Sequence, residues 1–132
     1  MSSSASESGD RPSEIKASTT EALLAAYVAD AISHGDSLEV GDHQAANSSA
    51  DALIGIYREL RRHGIGAQDA LIPLLKHSDR GVRFWAASHA LEFAPEEAER
   101  VLSGIAVARE SLVAVSASII LRQWRDGDLK LP

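Results

Sequence analysis

The chain has 132 residues, of which 45% are hydrophobic and 24% charged, and its formal net charge at pH 7 is −6. This length supports one domain with a hydrophobic core and is short for two. The absence of cysteine excludes disulfides, thiolate chemistry and cysteine-ligated metal sites. No run approaches the roughly 18 apolar residues of a membrane span, and the N-terminus lacks the apolar segment of a secretory signal. We therefore expect a cytoplasmic protein that does not bind a membrane.

The charge is distributed unevenly along the chain. Residues 1–57 contain nine acids and two bases, a net charge of −7, whereas residues 58–132 contain ten acids and eleven bases. Between Ala17 and Tyr57 there is no Lys or Arg. Such a segment repels nucleic acid and anionic membranes and attracts a basic partner. Alternatively, it is a solvated surface that keeps the protein soluble.

The N-terminal segment differs in composition from the rest of the chain. It is rich in serine and charge and has few large apolar side chains, so it cannot bury enough surface to offset the entropy of ordering. We expect a flexible tail over residues 1–17 and one helical domain over residues 18–132.

Two long helices are predicted after the tail. Thr19 or Thr20 can cap the first helix, whose apolar residues recur at spacings of three and four and which we expect to end at Gly35. The second helix has the same periodicity, and Gly64 and Gly66 are expected to close it. Gly55 lies inside the second helix and is a candidate for a close helix crossing.

Shorter helices are predicted in the middle of the chain. The first covers about residues 67–76 and is expected to kink or restart at Pro73, which lacks a backbone N–H. Asp79 can cap the next helix, which extends to Phe93. Pro95 is suited to the first turn of a fifth helix.

The final segment, from Ser111 to Trp124, could alternate as a strand. Its length and its apolar spacing favour a helix, and no second strand candidate is available to pair with it. The last two helix pairs match at an offset of 31 residues, as in a solenoid of helical hairpins. Both second helices also carry apolar residues off the main stripe, which predicts packing between neighbours on two sides. The matched pairs are Leu71 and Leu102, Leu74 and Ile105, Val82 and Val113, Ala86 and Ala117, Ala90 and Leu121, and Phe93 and Trp124. The off-stripe residues are Phe84, Ala87 and Leu91, and Leu112, Val115 and Ile119.

The segment LIPLLKHSDRGVRFWAASHAL resembles a HEAT-like repeat: an apolar helix, a His-x-Asp turn, then Val-Arg followed by small residues. With GDHQAAN, YRELRRHG and LRQWRDG, the chain resembles, over residues 20–128, a family of small bacterial HEAT-like proteins catalogued as a domain of unknown function. The resemblance implies an all-α, HEAT-like α-α superhelix of about three helical hairpins, or six helices. Similar small solenoids occur beside secreted-toxin genes, where they are suspected of serving as immunity proteins.

Several polar residues are candidates for catalytic groups. Adjacent residues such as His77, Ser78 and Asp79 cannot normally aim at one reacting atom, so Ser78 or Asp79 is expected to cap a helix. His89 and Glu92 have the spacing of a metal-binding pair, but a buried, hydrogen-bonded His89 is the preferred interpretation.

Other histidines lie near acids around the first loop. His34 follows Asp30 by one turn and His43 follows Asp42, but the ligand spacing of a metal site is missing. We expect neither a metal nor another cofactor, and a small metal-dependent hydrolase that uses His34, His43 or His89 is the weakest alternative.

The remaining candidates are structural. Arg83 is expected to bind an acid of the adjoining repeat, although a role in facing a partner is open. Trp85 is expected at the core or its edge, and Trp124 over the last layer. Asn47 is expected to be a buried, satisfied amide.

The sequence thus favours a non-enzymatic protein-binding module, most concretely an immunity-type protein that neutralises a basic bacterial toxin. An adaptor or regulatory scaffold is the main alternative. Nucleic acid is not an expected partner, because the arginines at the end of the second helix lie beside an acid and make no basic face. The acids expected to bind the partner are Asp30, Asp36, Glu39, Asp42 and Asp51.

Overall fold

The computed structural model describes residues 19–108 and 111–131, in which the regular secondary structure is helical and no strand is present. The predicted all-α fold is confirmed. The expected tail over residues 1–17 lies outside the described residues. None of the described helices combines the length and apolar character needed to cross a membrane. The elements are α1 (Thr20–Glu39), α2 (His43–His63), α3 (Ile65–Asp69), a 3-10 helix (Ile72–Lys76), α4 (Arg80–Ala90), α5 (Pro95–Ala106) and α6 (Leu112–Arg125).

The helices form three successive hairpins. α1 packs along α2, the 3-10 helix packs on α4, and α5 packs on α6, while α1 and α5 both contact α4. One hydrophobic core runs through the stack, as a solenoid requires, because a single hairpin cannot bury its apolar face alone. The largest fully buried side chains are Tyr27, Tyr57, Leu23, Leu53, Ile56, Leu60, Leu71, Leu91, Leu102 and Val82.

Side chains cap four helices at their N-termini, where backbone N–H groups lack intrahelical partners. Thr19 accepts a hydrogen bond from the N–H of Ala22 and begins α1, one of the two predicted cap positions. The other caps are Asp42 for α2, Asp79 for α4 and Ser111 for α6. These short-range signals explain why the starts predicted near Thr19, Asp79 and Ser111 agree with the structure.

The end of α1 differs from the prediction. α1 continues through Gly35 to Glu39, and Gly35 lies at a helix crossing. A Cβ atom at Gly35 would stand 3.6 Å from the Cα of Gly81, and one at Gly81 would stand 2.8 Å from the carbonyl oxygen of Ala31. α1 and α4 therefore approach backbone to backbone. The crossing expected at Gly55 was wrong, because nothing lies within 4 Å of a Cβ built there.

The predicted third helix is two short pieces. Gly64 ends α2 with a φ of 112°, a conformation that favours glycine, and α3 follows immediately. Pro73 then stands in the first turn of the 3-10 helix, where its missing N–H costs no helical hydrogen bond.

The predicted repeat is visible in the burial of α4 and α6. Val82 and Val113 are both buried, as are Ala86 and Ala117. The off-stripe residues of α4 are buried too, since α1 and α5 pack on it. The same prediction was wrong for α6, because no helix of the described residues covers its outer face. The exposed fractions there are 43% for Leu112, 46% for Val115 and 50% for Ile119.

The crossing predicts opposite effects of two glycine substitutions. Gly81→Ala should lower the free energy of unfolding by about 1–3 kcal/mol, because the new methyl group meets a backbone carbonyl that cannot turn away. Gly55→Ala is the matched control and should raise it by about 0.5–1 kcal/mol, since the site is open and helical. Urea unfolding followed by circular dichroism measures both. Equal effects of the two substitutions would contradict the crossing.

Candidate protein-binding groove

An open groove of about 310 Å³ lies between α1, α2, α4 and α6. This volume is within the range of small binding pockets. Four separate helices supply its walls, and most of its lining side chains are apolar. The lining residues are His34, Leu38, Ala50, Phe84, Trp85, Ser88, Ser116, Ile119 and Ile120.

A contact between α1 and α4 fixes the aromatic part of the groove. The indole Nε1 of Trp85 donates a hydrogen bond of 3.0 Å to Nδ1 of His34, and the two rings meet edge to face at 5.1 Å. Phe84 packs edge-on against the same indole. Because Nδ1 of His34 accepts a hydrogen bond, the neutral ring carries its proton on Nε2. Burial lowers the pKa of His34, which favours this neutral form.

The exposed stripe of α6 extends the groove. Leu112, Val115 and Ile119 follow one another at helical spacing along one face, and Ile119 also lines the groove. At the start of this stripe, Ser111 Oγ donates a hydrogen bond of 2.8 Å to Glu39. That hydrogen bond lowers the pKa of the Glu39 carboxyl, so a negative charge stands beside Leu112.

The structure brings only some of the predicted acids near the groove. Asp30 is one turn before His34 on the same side of α1, and Asp51 adjoins Ala50 on α2. Asp36 is exposed, but at 100° per residue it lies on the opposite side of α1 from His34. Asp42 caps α2 and stands at the turn between α1 and α2. The five acids therefore do not form a single patch.

A buried polar cluster lies behind the groove and centres on His89. Its side chain is 2% exposed, and a hydrogen bond of 2.7 Å joins its Nδ1 to the hydroxyl of Tyr27. The imidazole stacks on the ring of Tyr57 with centroids 4.0 Å apart and planes within 3°. Trp85 touches the same imidazole from the groove side, with centroids 5.6 Å apart. One ring thus links α1, α2 and α4 to the groove.

The hydroxyl of Tyr57 extends this cluster toward the surface. It donates to Glu92 Oε1 and accepts a hydrogen bond of 3.0 Å from Gln68 Nε2. Arg61 donates to the other oxygen of Glu92 at 3.1 Å and lies over the Tyr57 ring. Each buried polar side-chain atom among the described residues has a partner, so the cluster stabilises the fold without an unsatisfied group.

Burial sets the protonation states in this cluster. It lowers the pKa of His89 to about 3, with a smaller contribution from the charge of Arg61, so the imidazole is neutral near pH 7. Burial also raises the pKa of Tyr27 and Tyr57, and the hydrogen bond to Glu92 raises that of Tyr57 further. The geometry assigns His89 and Glu92 to separate partners.

His77 and Asp79, considered above as catalytic candidates with Ser78, instead stabilise the turn before α4 and its first helical turn. Nδ1 of His77 accepts a hydrogen bond from the backbone N–H of Asp79, whose carboxylate caps α4. The described residues contain no cluster of three or more histidine and carboxylate side chains placed to hold a metal ion.

Two side chains differ from their predicted roles. Arg83 Nη1 donates to the carbonyl oxygens of His77 at 2.7 Å and Ser78 at 3.0 Å, so it ties the turn of its own hairpin and not an acid of the next. Asn47 is exposed, and not a buried amide, because its position on α2 falls outside the core-facing stripe. Trp124, near the end of α6, is half-buried and packs on the core.

Sequence reasoning missed two polar groups of the interior, Gln68 and Glu59. Gln68 binds Tyr57, and Glu59 is 4% exposed and pairs with Arg62 and His63. The available signal was an amide or a carboxylate at a core-facing helical position, which demands a partner when buried.

Stacked helical hairpins around one hydrophobic core define an α-solenoid. The chain belongs to the DUF2019 family, a domain of unknown function, whose pattern matches residues 21–124. It is also similar to the crystal structure of the protein RPA1889 from Rhodopseudomonas palustris CGA009. The TM-score is 0.79 and the identity 25%, over 88% of this chain and 96% of that one. No curated protein sequence matches it.

The His89 cluster predicts a loss of stability in acid. In the unfolded chain a histidine titrates at about 6.5, so the unfolded state takes up a proton first as the pH falls. The stability due to neutral His89 is complete above that pH and decreases toward the folded pKa of about 3. Between about pH 6.5 and pH 5 we expect a loss of about 2 kcal/mol, with His34 acting in the same direction.

Urea unfolding across this pH range measures the loss. The control is His89→Gln, whose amide can still reach Tyr27 but cannot take up a proton. A variant whose stability falls as steeply as that of the wild type would show that His89 is not the titrating group.

Proposed function

We propose that this chain is a non-enzymatic protein-binding module of the cytoplasm, and specifically an immunity-type protein that neutralises a basic bacterial toxin. The observation that carries the proposal is the apolar groove together with the exposed stripe of α6, beside helices that contain acids and no bases over residues 17–57.

The apolar part of this surface supports a protein as the occupant. Ile119 belongs to both the groove and the stripe, so the two form a continuous apolar surface on one side of α6. A contiguous exposed apolar patch on a soluble protein is a common mark of a binding site. The apolar face of a partner helix fits such a surface, since an amphipathic helix lays its apolar residues into a groove.

The charge of the surrounding helices supports a basic partner. α1 and the first half of α2, which supply some of the lining residues, carry Asp30, Glu39 and Asp51 outside the groove lining and contain no Lys or Arg. Such a surface accelerates association with a basic protein and disfavours acidic ones. Many secreted toxins that act on nucleic acids are basic for the same electrostatic reason. An adaptor that binds a basic cellular protein would use the same surface. The co-expression experiment described below distinguishes this function from immunity.

A synthetic helical peptide tests the groove. A peptide of about 14 residues with leucines on one face and lysines on the other should bind, and its counterpart with glutamates should bind at least about tenfold more weakly. Ile119→Glu should weaken binding of the lysine peptide by at least about tenfold, because a charge then stands in the apolar surface. Fluorescence anisotropy measures each affinity.

Ile65→Glu is the matched control for that experiment. Ile65 is 62% exposed on α3 and lies outside the groove, so its substitution should leave the affinity within about twofold. If both variants bind the peptide like the wild type, the groove is not the binding site.

Immunity itself requires a second experiment. Each protein encoded beside the gene of this chain is expressed in a bacterial host, alone and together with the chain. Immunity predicts that one basic neighbour arrests growth alone, that the chain restores growth, and that Ile119→Glu abolishes the rescue. If no neighbour is toxic, or if several housekeeping proteins bind the groove equally well, the adaptor function replaces immunity.

A further inference from the structure

A second pocket, separate from the groove, is lined by several positively charged side chains. It has a volume of about 330 Å³ and lies where the 3-10 helix and the start of α4 meet α5. It shares no lining residue with the groove. Three of its eight lining residues are arginines, and none is an acid. The lining residues are Leu75, Arg80, Arg83, Arg100, Val101, Gly104, Ile105 and Ala108.

The guanidinium of Arg83 is held in place by neutral groups, and no carboxylate among residues 19–108 and 111–131 forms an ion pair with it. Its Nη1 donates to the carbonyl oxygens of His77 and Ser78, which are neutral acceptors. These hydrogen bonds reduce the entropy that the side chain would lose on binding a ligand, and its remaining N–H groups stay available. An oriented, uncompensated positive charge is what a pocket for an anion requires.

The other two arginines, Arg80 and Arg100, are exposed. No ion pair of Arg80 or Arg100 is formed within the described part of the chain. Arg80 contributes to the low pKa of Glu39, whose carboxylate is hydrogen-bonded at the start of α6. Glu99, the acid next to Arg100, pairs with Arg125. Within a chain of net charge −6, this pocket is therefore a local concentration of positive charge.

The rest of the lining is apolar and small. Leu75, Val101 and Ile105 supply aliphatic surface, and Gly104 leaves open space, since no atom lies within 4 Å of a Cβ built there. A ligand that fits combines a strongly charged anionic group with a compact apolar body.

We propose that this pocket binds a small organic phosphomonoester, with the phosphate at the three arginines and the organic part against the aliphatic residues. A phosphomonoester carries close to two negative charges near pH 7 and three acceptor oxygens, which suits several guanidinium groups at once. This site is distinct from the protein-binding groove, and the inference does not rest on the proposed function.

An NMR titration of the full chain with phenyl phosphate, inorganic phosphate and citrate tests the site. Phenyl phosphate should shift the backbone amides of Gly104 and Val101 saturably and bind about tenfold more tightly than inorganic phosphate, because its ring covers aliphatic surface. The absence of saturable shifts would overturn the proposal. Tighter binding of citrate than of phenyl phosphate would overturn the assignment to phosphate.

Two charge-matched variants complete the test. Arg100→Gln should weaken phenyl phosphate binding by about tenfold or more, because it removes one charge-assisted hydrogen-bonding group from the pocket. Arg58→Gln, an exposed site on α2, removes the same charge elsewhere and should change the affinity by less than about twofold. Equal losses in both variants would show that only the net charge matters and would refute a defined site. Both positions are exposed, and circular dichroism verifies that the variants fold.

Discussion

The imidazole of His89 is the constraint on which the arrangement of the first helices depends. It is buried and neutral, stacked on Tyr57 of α2 and hydrogen-bonded to Tyr27 of α1. A polar ring in the interior is tolerated only while its partners hold their positions, so the relative placement of three helices follows from one side chain. Trp85, one turn earlier on α4, touches that ring and binds His34, so the groove is built directly on this cluster.

Close packing of α1 on α4 makes these side-chain contacts possible. At Gly81 a methyl group would meet the carbonyl of Ala31, so only glycine permits the approach observed there. A wider spacing would separate Trp85 from His34 and Tyr27 from His89, since both hydrogen bonds join the same two helices. The close packing of α1 on α4 therefore requires glycine at position 81, and the two aromatic hydrogen bonds require that close packing.

Local signals explain what could be predicted from the sequence. Thr19, Asp79 and Pro95 each act within one helical turn, and the helices begin where these residues predict. Tertiary contacts explain the rest. Glycine is common at helix ends, so Gly35 predicts one. In the structure Gly35 instead packs against Gly81, which lies 46 positions further along the chain and which no local signal identifies. The hydrogen bond between Tyr57 and Glu92 and the exposure of one face of α6 likewise depend on which helices pack together. The periodicity of the sequence does not specify this packing.

The placement of charge relative to the groove follows from the cost of desolvation. No carboxylate lines the groove itself. Glu39 stands at the start of the α6 stripe, and Asp30 and Asp51 lie on α1 and α2 outside the groove lining. An apolar face that covers Ile119 and Trp85 therefore displaces water without burying a negative charge, which would be expensive without a matched partner. Glu39 and Asp51 are exposed, so their charges act through solvent over a Debye length of about 8 Å on the approach and orientation of a basic partner. The apolar groove residues thus supply the contact area for a partner, and the acids around the groove select a partner by its charge.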